Sequence, residues 1–167
     1  WESLDFITEE FPPYNYTESG IARGITVDIL LEAAASAGLP IARRDIRSLP
    51  WARGYQMARK GPGVMLFSMT RTESRSPQFK WVGPIMPSRI VLLARRDRQI
   101  QIKQTADLSA QRIGVIRDAV GHHLLNNLRI SDNNLHISAS AIQLANLLHN
   151  SRTDLWDFDA NFAGAEE

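Results

Sequence analysis

The strongest limit on the fold is an alternation. Over the first 75 residues, short apolar runs take turns with longer stretches of helical character. Leu4 to Thr8 reads as a strand and Val27 to Ala37 as a helix. Residues 40–48 read as a second strand with polar interruptions, Pro50 to Lys60 as a second helix, and Val64 to Phe67 as a third strand. That succession predicts a parallel sheet with helical crossovers. The punctuation agrees. Thr26 stands where an N-cap belongs, Gly38 at C′ and Pro50 at the first helical position, and Gly61-Pro62-Gly63 ends the helix. Ile29, Leu30, Ala33 and Ala34 form the expected buried face of the first helix.

Three loops, 9–16, 49–53 and 68–75, then fall at the carboxyl ends of the strands. Open α/β sheets place their ligand sites there. The first loop, Phe11-Pro12-Pro13-Tyr14-Asn15-Tyr16, displays Tyr14 and Tyr16 on a proline-stiffened segment. The third, Ser68-Met69-Thr70-Arg71-Thr72-Glu73-Ser74-Arg75, is dense in hydroxyls and guanidinium groups. Guanidinium forks suit a carboxylate or phosphate in bidentate geometry. On these residues alone, an anion-binding loop and a solvated loop with structural salt bridges are both open.

The second half restarts the pattern. Residues 79–87, with Pro84 and Pro87, are irregular; Ile90 to Ala94 is a strand, followed by the charged break Arg95 to Arg98. Thr105 to Ala110 reads as a short helix, Arg112 to Ile116 as a strand and Val120 to Leu128 as a helix. Leu135 to Ser138 is another strand, and Ser140 caps a helix through Asn150, with Gln143 at capping-box spacing. Asp154 to Phe158 is the last strand, and Asp159 opens a loop or helix. Two small α/β lobes are expected, 1–88 and 89–167.

Composition removes several chemistries. There is no cysteine, hence no disulfide, no thiol nucleophile and no cysteine-based zinc site. No Ser-His-Asp, P-loop or zinc spacing appears, and no cofactor or metal is expected. A net charge of +1 gives no field directed at nucleic acid or membrane. No stretch reaches the ~18 apolar residues of a membrane span. His122-His123 reads as a solvated helix face. The chain starts at Trp1 without a signal-like segment, which reads as a processed or trimmed product and favours export.

Four features, in order, carry a resemblance. They are the Phe-Pro-Pro-Tyr-Asn-Tyr loop followed by Gly24-Ile-Thr-Val-Asp-Ile-Leu30, and Ser68-Met-Thr-Arg-Thr-Glu-Ser-Arg75 followed by Phe79-x-Trp-Val-Gly-Pro84. Then come Asp107-Leu108 leading into Arg112-Ile-Gly-Val-Ile116, and Arg152-Thr-Asp-Leu-Trp-x-x-Asp159. Together they resemble the type 2 periplasmic solute-binding proteins of amino-acid import systems, family 3, over essentially the whole chain. The resemblance implies two α/β lobes joined by a hinge, a ligand between them, closure on the ligand and delivery to an ABC permease from the periplasm. It implies that Arg75 clamps an α-carboxylate with help from Ser68, Met69 and Thr70. Asp159 takes the α-ammonium, although Asp157 and Asp159 could instead cap a following helix. Tyr14 or Tyr16 packs on the ligand side chain. Pro50-Trp51-Ala52-Arg53 and Trp81 mark a subgroup, and Trp51, Arg53 and Glu9 join the ligand-binding candidates. Arg53 and Glu9 would fit a charged ligand.

Two departures stand out. Where many members carry Gly-Thr or Ser-Thr after the second-lobe strand, this chain has Arg117-Asp118-Ala119-Val120, without a hydroxyl. The chain is also shorter than the family pattern, so an incomplete C-terminal part is expected. Exposed sheet edges then favour a homodimer or a swapped arrangement. Three other functions share the fold: a sensor of a signalling system, a dehydratase-like enzyme using Glu9, Glu10 or Glu73 as acid or base, and a relative that no longer binds solute.

Overall fold

The computed structural model describes residues 4–39 and 41–160, and the chain divides after Ile85 into two compact units.

The first unit is built on β1 (Asp5–Thr8), β2 (Tyr16–Glu18), β3 (Ile21–Arg23), α1 (Ile25–Ser36), β4 (Ile46–Ser48), α2 (Trp51–Lys60) and β5 (Val64–Leu66). Its sheet has the order β4-β1-β5, all parallel, with Phe6 paired to Ile46 on one side and Met65 on the other. The first strand is therefore central and the chain reverses direction across it, which creates a topological switch point at the carboxyl ends. Phe6, Val27, Ile46 and Phe67 form the core on the α1 side, and α2 lies close to β1 and β5. Gly54 allows that approach: a Cβ there would stand 3.1 Å from the Ile7 side chain.

Residues 16–23 form an antiparallel hairpin around a turn at Ser19-Gly20, and its two short strands were not anticipated. Ser19 and Gly20 both have positive φ, 51° and 76°, the requirement of a tight two-residue hairpin turn. Gly24, not Thr26, is the N-cap of α1, with no side-chain cap. Thr26 lies inside the helix, where its hydroxyl has a different task. The buried stripe of α1 is Val27, Leu30, Leu31 and Ala34, at i, i+3, i+4 and i+7; Ile29 and Ala33 face solvent, so the helix is rotated relative to the expected face. Pro50 stands one position outside α2 as its N-cap. Residues 43–45 form a 3-10 turn, which shortens the second strand to 46–48.

The second unit comprises β6 (Ile90–Ala94), β7 (Ile113–Ile116), α3 (Val120–Asn127), β8 (Leu135–Ser138), α4 (Ala141–His149) and β9 (Leu155–Asp159). Residues 105–110 form a 3-10 helix. The sheet order is β6-β9-β7-β8, with β7, β8 and β9 parallel and β6 antiparallel to β9. Its three parallel strands repeat the first unit's arrangement, again with the first of the three in the middle. Ile113, Val115, Leu125, Leu135 and Leu155 close the core. Ser140 does cap α4, accepting the Gln143 amide. Strand β9 runs one residue further than expected, through Asp159, and the loop or helix expected after it lies outside the described residues. Asp154 precedes the strand; its carboxylate accepts from the Arg112 amide and side chain at 2.9–3.0 Å. The Arg112 bonds pull the Asp154 carboxyl down to about 2 and pin the start of β9 to that of β7.

Candidate functional site

In the first unit the carboxyl ends of β1, β4 and β5 carry Glu9, Leu49 and Phe67, and the loops behind them supply the predicted residues. Ser68 follows β5 with φ 63°, in the left-handed region, and this turns its side chain toward α1. Its Oγ donates to Thr26 Oγ1 at 2.8 Å. Thr26 Oγ1 in turn donates to Tyr14 O at 2.9 Å and lies 3.1 Å from Asn15 Oδ1. Asn15 is fully buried and donates to Glu9 O at 2.7 Å. A continuous polar chain therefore ties the loop after β5 to the loop after β1. The sequence reading missed Thr26 and Asn15 as parts of it; a buried threonine and asparagine in an apolar setting need partners, but their partners lie far apart in sequence.

Arg75 is only 3% exposed. Its guanidinium carbon lies 5.1 Å from the Trp51 ring centroid and 5.0 Å from that of Tyr55, and Nη1 donates to Thr70 O at 3.3 Å. Trp51 and Tyr55 occupy successive turns of one face of α2 and stack at 5.6 Å. The ring series continues through Phe79, 5.6 Å from Tyr55, to Trp81, 5.8 Å from Phe79. Arg71 lies 5.7 Å from the Trp81 ring, and its Nη2 donates to Ser76 Oγ at 2.9 Å. Aromatic faces attract guanidinium groups electrostatically, so α2 and the post-β5 loop fit together as alternating rings and cations. The structure thus brings Trp51, Thr70 and Arg75 together and adds Tyr55, which the sequence reading left out. Spacing of four from Trp51 was the available signal.

The other first-unit candidates sit elsewhere. Tyr14 is 5% exposed and stacks on Phe11 at 5.3 Å, so Phe11 is the more accessible ring of that loop. Tyr16 is half-buried at the start of β2. Arg53 is exposed on α2, outside the Trp51–Tyr55 face. Met69 is half-buried. Glu9 is half-buried directly after β1. Glu10 accepts from the Thr17 hydroxyl at 2.6 Å and amide at 3.0 Å. Burial raises the Glu10 pKa, but hydrogen bonding outweighs it and holds the carboxyl below its usual range. A depression of about 310 Å³ in this unit is lined by Pro13, Tyr16, Arg23, Gly24 and Arg43 among others; of the predicted site residues it takes in Tyr16 alone.

In the second unit Asp159 ends β9 at the carboxyl edge of the sheet, and the Ser88 hydroxyl reaches both its carboxylate oxygens, at 2.8 and 2.9 Å. Two residues back on the same face, Asp157 is buried and lies against Gly121 in the first turn of α3. Burial pushes its carboxyl up to about 7, and among the described residues Oδ1 has no hydrogen-bond partner. The expected solvated histidine pair divides. His123 is exposed, whereas His122 faces inward at 9% exposure and accepts from the Asp118 amide. Burial and the neighbouring His123 push the His122 pKa down. Among the described residues, no cluster of three or more His, Asp or Glu is placed to hold a metal ion, and no helix is long and apolar enough to cross a membrane.

This architecture is that of the type 2 periplasmic binding proteins. Similar solved structures include a histidine kinase sensor domain with similarity to periplasmic binding proteins, at 19% identity and TM-score 0.81, covering 93% of this chain and 68% of that one. The arginine-, lysine-, histidine-binding protein ArtJ from Geobacillus stearothermophilus is similar at 19% identity and TM-score 0.79, with coverage of 93% and 66%. An ancestral amino-acid-binding protein, a precursor of cyclohexadienyl dehydratase, is similar at 17% identity and TM-score 0.77, with coverage of 94% and 70%. The chain thus spans about two thirds of the length of these proteins. A comparison with curated proteins found no match. The bacterial extracellular solute-binding proteins, family 3, match residues 6–158, and the chain belongs to that family.

Proposed function

We propose that this protein binds an amino acid or a similar small polar solute in the periplasm and delivers it to an ABC importer. The observation that carries the reading is Arg75. Its guanidinium is buried against Trp51 and Tyr55, in the loop at the carboxyl edge of a parallel sheet. There it acts as the carboxylate clamp, with Ser68, Met69 and Thr70 alongside. A low-dielectric setting strengthens a charge-assisted pair and fixes its geometry. On the second unit Asp159 is the group for the ammonium of a zwitterion, oriented by Ser88. Glu10 is held ionised by its hydrogen bonds, which suits a structural role and not that of a general acid. Glu73 is exposed. Glu9, the third candidate acid or base, is read as a ligand-binding group, and binding without turnover is the favoured activity.

A sensor role is the second reading, favoured by the similarity to a histidine kinase sensor domain. Stimulation of a reconstituted permease by the loaded protein would separate transport from sensing. The clamp is tested by isothermal titration calorimetry of Arg75→Ala against the preferred amino acid. Loss of a buried charge-assisted pair weakens binding by about 2–5 kcal/mol. An unchanged affinity would remove Arg75 from the site.

A further inference from the structure

Resting on the reading of Arg75 as a solute clamp, we infer that the ligand is an anion: an acidic amino acid or a dicarboxylate, not a basic amino acid. Three independent observations point there. First, the faces of Trp51 and Tyr55 that meet the clamp are already covered by the Arg75 guanidinium. Aromatic faces receive cationic groups, and here an internal cation occupies them. Second, Arg71 places another guanidinium in the same loop, over Trp81 and hydrogen-bonded to Ser76; among the described residues it has no acidic partner. It is a second fork available to a second carboxylate. Third, charge is concentrated locally. Residues 51–80 contain six basic side chains against Glu73 alone, although the whole chain carries only +1. Within the first unit the residues outside this stretch are net acidic, so that unit's positive charge is concentrated on α2 and the loop that holds the clamp.

The acidic groups nearest in the fold do not reverse this. Glu10 is engaged by Thr17. Glu9 is one residue from the end of β1, a single carboxylate against the two forks of the Arg71–Arg75 loop. A field of one sign raises the local concentration of the opposite ion and penalises a like charge. A basic ligand of the kind named for ArtJ would bring its side-chain cation into that field.

The experiment is titration calorimetry of the chain with L-glutamate, L-aspartate, succinate, L-glutamine and L-arginine at low and at physiological salt. The expected result is binding of glutamate, aspartate or succinate at least ten-fold tighter than arginine, with the preference shrinking as salt rises. The exposed Arg71→Gln variant should narrow the glutamate-over-glutamine ratio several-fold. Arginine binding as tightly as glutamate, or a ratio untouched by Arg71→Gln, would overturn the anionic assignment while leaving the solute clamp standing. Binding of none of the five compounds would count against the assignment and the clamp together.

Discussion

Asp157 shows most clearly how one residue sets solution behaviour. A carboxyl of ordinary pKa 3.8 is raised to about 7 by burial beneath α3. The folded state then holds a proton that the unfolded chain releases. Its contribution to stability is full below about pH 4 and is lost as pH rises through 7, a change of a few kcal/mol. His122, pushed down by burial, works in the opposite direction over the upper part of that window. Among the other groups near by, Asp159 shares the strand, and Asp118 and Arg117 precede α3. The comparison that isolates Asp157 is therefore a variant against the parent. Urea unfolding of Asp157→Asn should show a flatter stability profile from pH 5 to pH 8 and a gain over the parent at pH 8. Parallel profiles for the two proteins would refute the buried-proton account. The residues of the 68–75 loop left an anion site and a solvated loop both open, and the family pattern alone singled out Arg75. Tyr55 and Thr26 were not legible. A ring on a helix reads as core, and a threonine before a helix reads as a cap, until the partners 12 to 42 positions away are known.

Among the elements, the hairpin and α1 are joined by Gly24. This residue has φ 117°, and a Cβ would stand 2.3 Å from Tyr14 O. Ile25 and Thr26 donate their amides to Pro13 O and Tyr14 O across the same contact. A side chain at position 24 would push the 11–15 loop off the helix start and break the polar chain to Ser68. Gly24→Ala should cost more than 1 kcal/mol, since both the backbone region and the contact are refused. Thermal unfolding checks this, and a melting temperature within one degree of the parent would contradict it. The helices α2 and α4 and the continuous apolar run of β7 were legible because apolar spacing and terminal punctuation agree. The strands β2 and β3 have three residues each, too few for a period to show. Helix α1 is rich in small and apolar residues on every side, so its pattern could not fix its rotation. The antiparallel placement of β6 depends on pairing with β9, more than sixty residues later, which no local pattern encodes.

At the scale of the whole molecule, two units repeat a parallel three-strand core with the first strand central. Among the described residues β4 and β5 each pair on one side only, and so do β6 and β8. Such edges invite pairing with another chain, and we propose self-association through them. Light scattering at micromolar concentration should report a dimer; a stable monomer would dismiss the idea. The order of elements was readable from the alternation of apolar runs, since right-handed crossovers leave few topologies. The ligand was not readable from family pattern alone; what narrows the proposal is the pair of guanidinium groups, Arg71 and Arg75, set against aromatic rings in one loop. The central claim, that Arg75 clamps a carboxylate of a bound solute, meets its most direct test in thermal unfolding against the five compounds, run in parallel on the parent and Arg75→Ala. A ligand that binds the folded state raises the melting temperature by mass action. The account predicts a concentration-dependent rise with glutamate, aspartate or succinate in the parent and none in Arg75→Ala. An equal rise in both proteins, or no rise with any compound, would contradict it.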